Sequence, residues 1–289
     1  MEEYNELNLI EKPAISLFAS LGYQTENAYY EKPGPTSFLG RQDESEVVLI
    51  RYLKLALEEL NKTVLAAHPE HKDYLINTAV DKLTNDRKDR TLVEANRDVY
   101  QLLKAGTKIS LPGTQKHNEQ NIVTLIYIDW KEPKNNHYLL VSQLWIRNDI
   151  YRRRPDLLGF VNGIPLIFIE LKAIHERLEH AYNNNFKDYK TYIPKLFMYN
   201  AFVILSNGRE SRIGSLTAGW EHFATWTRID SEDEPPTASL ATMIRGTCQP
   251  ERLLDIVENF ILYGEEGGRL KKIVARNHQY LGVNNAIRA

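Results

Sequence analysis

The sequence has little cysteine and no long apolar run. Its one cysteine is Cys248, which excludes an internal disulfide and a cysteine-based zinc site. No charged segment followed by an apolar stretch opens the chain, and no apolar run approaches the roughly 20 residues that span a bilayer. We therefore expect no membrane contact and a cytoplasmic location.

An excess of positive charge is also missing. The 36 Lys and Arg residues are offset by 38 Asp and Glu residues, for a net charge of −2. A free-standing, non-specific DNA-binding protein is usually basic, so any contact with nucleic acid must come from a local patch or from partner subunits. The phosphate-binding pattern G-x-x-x-x-G-K-[ST] is absent too, which excludes P-loop ATP hydrolysis by this sequence.

What is present is a 289-residue chain with 43% hydrophobic residues, enough for one large domain or two smaller ones. Its most informative stretch is 152–172, RRRPDLLGFVNGIPLIFIELK. The Asn162-Gly163 dipeptide between two apolar runs predicts a β-hairpin. The second run, 164–169, is apolar on both faces, as in a central strand covered on both sides.

That second strand ends in charge, at Glu170-Leu171-Lys172. Residues two apart on a strand point the same way, so the carboxylate of Glu170 and the ammonium of Lys172 should lie side by side. Asp156 begins the partner strand. Two carboxylates and a lysine at the edge of a buried sheet favour a metal-dependent, phosphodiester-cleaving site over the alternative, a solvated strand end.

The site interpretation depends on the hairpin register. A two-residue turn would place Asp156 opposite Ile169, on the wrong face. A three-residue loop with Gly163 in the left-handed conformation and a bulge would shift the register by one residue. Asp156 would then lie opposite Phe168, on the face of Glu170. The sequence therefore predicts a β-bulge, and an even register would count against the site.

Periodicity and turn residues predict the remaining elements. Helices are predicted at 8–22, 45–62 (with Ser45 as its cap), 69–84, 91–105, 176–192 and 250–263, strands at 121–130, 137–147 and 200–205, and a linker at 230–239. The order predicts an α/β fold with a mixed, mostly antiparallel sheet and a helical N-terminal addition.

The stretch RRPDLLGFVNGIPLIFIELKA resembles the PD-(D/E)xK motif in the N-terminal domain of Type I restriction enzyme endonuclease subunits. The similarity extends to VEANRDVYQLLKAG at 93–106, YIPKLFMYNAFVILSNGRESRIGSLTA at 192–218 and ARNHQYLGVNNAI at 275–287. The resemblance implies a restriction-endonuclease-like αβββαβ core. It divides the chain into a helical part at 1–90, the nuclease core at 91–229, a linker at 230–249 and, at 250–289, the start of a motor that is otherwise missing here.

The resemblance also implies the chemistry. Asp156, Glu170 and the carbonyl of Leu171 would hold Mg²⁺ for hydrolysis of double-stranded DNA, and Lys172 would orient the attacking water. The methyltransferase and specificity subunits of a restriction-modification complex would be the partners. ATP would be used only by the full-length subunit, where Gln279 matches a glutamine that reads adenine.

Two further residues carry open alternatives. Some relatives of this fold have Gln-x-x-x-Tyr on the helix after the motif. Tyr189 matches the tyrosine, but Asn185 replaces the glutamine, so Tyr189 is either an accessory catalytic residue or a packing residue. Glu94 either corresponds to a helix glutamate that reaches the metal or caps its own helix.

Two other functions remain possible. The chain could be a stand-alone repair nuclease or junction resolvase, which the resemblance of 269–289 to a motor lead-in disfavours. It could also be a non-catalytic assembly module, which the intact Asp156, Glu170 and Lys172 disfavour.

Overall fold

The structure is a computed structural model that describes residues 7–112 and 121–288. Its strands are β1 (Gln24–Asn27), β2 (Thr107–Ser110), β3 (Ile122–Leu125), β4 (Tyr138–Ser142), β5 (Ile146–Asn148), β6 (Tyr151–Arg153), β7 (Leu157–Val161), β8 (Ile164–Leu171), β9 (Phe202–Ser206), β10 (Ser211–Gly214), β11 (Ile261–Glu266) and β12 (Arg269–Val274).

The helices are α1 (Lys12–Ser20), α2 (Ile50–Leu60), α3 (Lys62–Ala66), α4 (Lys72–Thr84), α5 (Leu92–Ala105), α6 (Leu178–His180), α7 (Lys187–Tyr192), α8 (Pro194–Phe197), α9 (Leu240–Cys248), α10 (Pro250–Asn259) and α11 (Asn277–Arg288). Two π-helical segments, Leu7–Glu11 and Ala181–Phe186, precede α1 and α7. Among the described residues, no helix is long and apolar enough to cross a membrane.

A six-stranded sheet in the order β1-β4-β7-β8-β9-β10 forms the centre of the fold. The β4–β7, β7–β8 and β9–β10 pairs are antiparallel, whereas β1–β4 and β8–β9 are parallel. All residues of β8 are buried, which explains its apolar character on both faces and confirms the predicted central strand. The α/β class and the mixed sheet are confirmed as well.

One strand assignment was wrong, and one strand was missed. The predicted strand at 121–130 is reduced to β3, which pairs with β2 in a separate two-stranded sheet. Its place beside β4 is taken by β1, which was not predicted because its sequence, QTEN, is polar. A short polar segment can serve as an edge strand because one side needs no partner. Sequence neighbours were assumed to be sheet neighbours, and here they are not.

The helix predicted at 45–62 begins later than expected. Ser45 is not its cap, because the Ser45 N–H donates to Asp43 Oδ1 at 2.6 Å in a preceding turn. Leu49 holds the N-cap position of α2, and its N–H donates to the Gly163 carbonyl at 2.8 Å. This bond fixes the start of α2 against the turn of the β7–β8 hairpin.

The C-terminal part packs on the same core. Residues 230–239 hold no helix or strand, as predicted for a linker, but 240–248 form the mostly buried helix α9. The Tyr23 hydroxyl donates to the Cys248 carbonyl at 2.7 Å. The helix predicted at 250–263 ends at Asn259, and β11 and β12 form a hairpin with both turn glycines at positive φ. The division of the chain into domains stays a prediction.

Candidate active site

The β7–β8 hairpin closes with a two-residue turn. Val161 pairs with Ile164, and Asn162 and Gly163 both have positive φ, of 52° and 79°, as a type I′ turn requires. A Cβ on Gly163 would lie 2.5 Å from the Leu49 carbonyl oxygen. The expected three-residue loop is therefore wrong.

The predicted bulge exists, but inside the strands. Gly159 pairs with Ile167 and Phe160 with Pro165, which leaves Leu166 as the extra residue. Its carbonyl turns to β9 and accepts the Ala201 N–H at 2.7 Å. A Cβ on Gly159 would lie 2.8 Å from Ile167 Cδ1, so the bulge needs a glycine on the opposite strand.

The bulge brings the two carboxylates together. Beyond it Leu157 pairs with Ile169, so Asp156, one residue further, is level with Glu170 rather than with the expected Phe168. Asp156 thus lies on the predicted face of the sheet, but the strand register is shifted in the direction opposite to the one expected. The requirement for a bulge is confirmed, while its position and the sense of the shift were predicted wrongly.

Asp156 is fixed by two donors. Its Oδ2 accepts the Leu171 N–H at 2.8 Å, and its Oδ1 lies 3.4 Å from Gln143 Nε2. Burial raises the pKa of the Asp156 carboxyl, and the Leu171 hydrogen bond and the charge of Lys172 oppose that rise. Burial disfavours the ionised form of this carboxyl, so a nearby cation would stabilise it.

Glu170 and Lys172 lie side by side, as the strand alternation predicts. Lys172 Nζ is 3.6 Å from Glu170 Oε1, and the two side chains are 16% and 3% exposed. The Lys172 N–H donates to the Ser206 carbonyl at 2.9 Å, which continues the β8–β9 ladder past the end of β8. The ammonium is therefore held beside the carboxylate at the edge of the sheet.

The residues of this hairpin lie within a segment shared with known proteins. Residues 3–222 match the family described as Type I restriction enzyme R protein N terminus. The chain belongs to this family. A Type I restriction enzyme HindI endonuclease subunit from Haemophilus influenzae is 33% identical over 292 residues, covering 97% of this chain and 26% of that protein.

Two archaeal relatives extend the comparison. The putative Type I restriction enzyme MjaIXP and MjaVIIIP endonuclease subunits from Methanocaldococcus jannaschii are 25% and 29% identical, covering 98% and 81% of this chain. They are matched over 27% and 22% of their own lengths. The chain thus spans about a quarter of the relatives that it matches.

A third carboxylate near the site was missed. Gln143 Nε2 donates to Glu11 Oε2 at 2.9 Å while facing Asp156, and Glu11 is only 3% exposed. The contact joins residues 132 positions apart, so no local pattern could reveal it. In the sequence, the one indication of this role is the position of Glu11 directly before the first helix.

Glu94, by contrast, does not serve the site. Its carboxylate accepts the Thr91 N–H at 2.8 Å in a capping box at the start of α5. The capping alternative is confirmed, and the metal-reaching one is wrong. Among the described residues, no group of three or more His, Cys, Asp or Glu side chains is arranged to bind a metal ion.

Tyr189 lies close to both acids. Burial is the main cause of the raised pKa of Tyr189, and the charges of Glu170 and Asp156 add to it, while a hydrogen bond with Asn185 opposes it. The Tyr189 hydroxyl donates to the Arg154 carbonyl at 3.3 Å, and its ring packs edge-on against Phe168. The structure brings the predicted Asn185–Tyr189 pair together, and Tyr189 also packs helix against sheet.

Gln279 has a local role. It is exposed on α11, where its Oε1 accepts the Arg276 N–H at 2.8 Å and so completes the first turn of the helix. The nucleotide-binding role suggested for Gln279 stays a prediction.

Proposed function

We propose that this chain is the Mg²⁺-dependent DNA endonuclease domain of a Type I restriction enzyme R subunit, built on a PD-(D/E)xK core. The observation that carries the proposal is the β-bulge at Leu166, which sets Asp156 level with Glu170, whose carboxylate lies 3.6 Å from the Lys172 ammonium. A structural strand end has no need for two carboxylates and an ammonium on one face.

The order of the elements supports the nuclease fold. Helix α1 is followed by the antiparallel strands β4, β7 and β8, then by the helical segment 178–192, and then by β9 parallel to β8. With β1 left aside, this order is compatible with αβββαβ, with α1 in the place where the sequence suggested α5. The segment that holds α2 to α5, β2 and β3 is then an insertion between β1 and β4.

The donors available at this edge fit a hard cation. Asp156, Glu170 and the Leu171 carbonyl are all oxygen ligands, which Mg²⁺ prefers. Two carboxylates leave room for several waters, so binding is expected to be weak. When bound, Mg²⁺ would activate a water and neutralise charge on the scissile phosphate.

The chain's own residues complete the chemistry. Lys172 is held by Glu170 and by the β8–β9 ladder, in a place to orient the attacking water and to offset charge in the transition state. Gln143 joins Asp156 to the buried Glu11 and so fixes the orientation of the Asp156 carboxylate.

The substrate and partners follow from the same proposal. Double-stranded DNA is the substrate, and the methyltransferase and specificity subunits select where the enzyme acts. A motor outside these residues uses ATP to translocate DNA and so triggers cleavage.

The decisive experiment changes the acids in the assembled enzyme. Asp156→Ala or Glu170→Ala should reduce DNA cleavage by about 10³-fold or more, while ATP-driven translocation is unchanged. The exposed Glu132→Ala is the matched control and should leave both unchanged. Loss of translocation together with cleavage would show that these acids are structural.

A further inference from the structure

A single arginine on the rim of the candidate site has an unusual environment. The guanidinium carbon of Arg154 lies 4.5 Å from the ring centre of Tyr29 and 4.9 Å from that of Trp145. Cation–π contacts with two rings hold the side chain in one position. The Tyr189 hydroxyl fixes the adjacent backbone through the Arg154 carbonyl.

Among the described residues, each of the neighbouring arginines has a carboxylate partner within 4.0 Å, and Arg154 has none. Arg147 and Arg152 both pair with Glu44, at 3.4 and 2.6 Å. Arg153 makes a two-point contact with Asp188, at 2.5 and 3.1 Å. Within residues 7–112 and 121–288, the Arg154 guanidinium makes no hydrogen bond and has no carboxylate within 4.0 Å.

The position of Arg154 relates it to the candidate site. It is two residues before Asp156, close enough for its positive charge to oppose the rise that burial causes in the pKa of the Asp156 carboxyl. Pro155 between them restricts Arg154 to extended conformations. The free guanidinium is therefore held beside the carboxylate that would bind the metal, with only one residue between them.

We propose that Arg154 binds a DNA phosphodiester adjacent to the one that is cleaved, and so positions the strand in the site. The proposal rests on the proposed nuclease function and names a residue that the PD-(D/E)xK pattern does not include. A planar guanidinium presents several N–H donors that match phosphate oxygens two at a time. Because the two rings already fix the side chain, little rotamer entropy is lost when it binds.

A local positive charge at this rim would explain how a chain with a net negative charge can contact DNA. The chain has a net charge of −2, so its attraction to DNA cannot come from a general basic character. The other arginines around the rim, Arg147, Arg152 and Arg153, form ion pairs within the chain. One pre-positioned, unpaired arginine beside the acids gives a contact with a phosphate without a basic surface.

The test is DNA binding by the 289-residue chain, with Ca²⁺ in place of Mg²⁺ to prevent cleavage. Arg154→Gln keeps the stem packed between the rings but removes the charge and the fork. A short duplex measured by fluorescence anisotropy should bind about tenfold more weakly. The slope of log K against log salt should fall by about 0.9, the loss of one phosphate contact.

Arg152→Gln is the matched control. Arg152 also stacks on Trp145, at 4.0 Å, but is already paired with Glu44, so its loss should change affinity less than twofold and leave the salt slope unchanged. Arg154→Lys keeps the charge but not the fork, and should recover the slope but only part of the affinity. Melting temperatures of all variants show whether each is folded.

Several results would overturn the proposal. They are equal affinities and slopes for Arg154→Gln and the unchanged chain, equal losses for Arg154→Gln and Arg152→Gln, or no DNA binding by the unchanged chain at low salt. Displacement of the duplex by ATP at matched ionic strength would instead assign Arg154 to a nucleotide phosphate. Cleavage by the assembled enzyme that depends on Asp156 but not on Arg154 would reject this inference and leave the nuclease function standing.

Discussion

Lys172 and Lys272 have opposite surroundings in this molecule. Lys172 ends the central strand, partly exposed, with its ammonium 3.6 Å from the Glu170 carboxylate. Lys272 lies on β12 and is only 3% exposed. Its Nζ donates to Asn96 Oδ1 at 2.9 Å and to the Asn200 carbonyl at 2.6 Å, and among the described residues it has no acidic partner within 4.0 Å.

The difference indicates that the charge of Lys172 is available to a ligand, whereas Lys272 is a structural residue. A lysine beside an acid at an open edge is stabilised as a cation and can meet a substrate. A lysine buried among neutral acceptors is expensive to charge, and it joins the β11–β12 hairpin to α5 and to the start of β9. We infer that Lys172 serves the reaction and Lys272 serves the packing.

Removing Lys172 should have the largest effect, and on cleavage alone. Lys172→Ala in the assembled enzyme should slow cleavage by about 10²- to 10³-fold, up to about 4 kcal/mol, because the ammonium acts in the transition state. Calorimetric titration with Mn²⁺ should show metal binding retained. If Lys172→Ala loses the metal while Asp156→Ala keeps it, the assigned roles are wrong.

Removing Lys272 should change stability with a distinct pH dependence. Burial lowers the pKa of Lys272 to about 7 from its ordinary value of 10.5. Between these values the unfolded chain holds a proton that the folded chain lacks, so stability from this group rises with pH. Below about pH 7 the cost of burying the charge is present in full.

Urea unfolding of the unchanged chain and of Lys272→Met can measure this. The free energy of unfolding of the unchanged chain, minus that of the variant, should increase by about 3 to 4 kcal/mol from about pH 7 to about pH 10. Tyr100 and Tyr263, which also face this region, have raised pKa values and stay neutral there. Lys271→Met, from the other face of β12, controls for loss of charge. A difference that is flat or falls with pH would contradict the structural role.

The smallest effect is expected at the N-terminal cap of α5, which lies neither at the candidate site nor in the contact that Lys272 makes. Thr91→Ala should lower the free energy of unfolding by about 1 kcal/mol, because the Glu94 N–H loses its acceptor. Glu94→Ala should lower the melting temperature slightly. Both should cleave DNA at the unchanged rate in the assembled enzyme. A cleavage defect in Glu94→Ala alone would return Glu94 to the site.

The sequence predicted what local chemistry decides. The hairpin at Asn162-Gly163, the buried strand β8 and the pairing of Glu170 with Lys172 follow from turn preference, apolar content and strand alternation. The need for a bulge followed from counting residues across the hairpin. Its location did not, because the close contact between Gly159 and Ile167 is visible only once the strands are paired.

Long-range contacts account for what was missed. Strand β1 is polar and gains its place only from β4, more than 100 residues later. Glu11 reaches the site through Gln143, which is 132 positions away. Lys272 lies in RLKKIV, which reads as an ordinary exposed strand, and its burial depends on Asn96 and Asn200 from distant parts of the chain.

The extra residue at Leu166 has a consequence for how such proteins are compared. Whether the two acids meet depends on the odd or even count of residues between them, and not only on their presence. Deletion of Leu166 would restore a regular β-ladder and turn the side chains of Glu170 and Lys172 away from Asp156. A gene with that deletion would still show every acidic residue and the lysine in an alignment, yet, under the proposed function, its product would not cleave DNA. Judging whether a relative is active therefore requires the length of the segment between the acids as well as their identity.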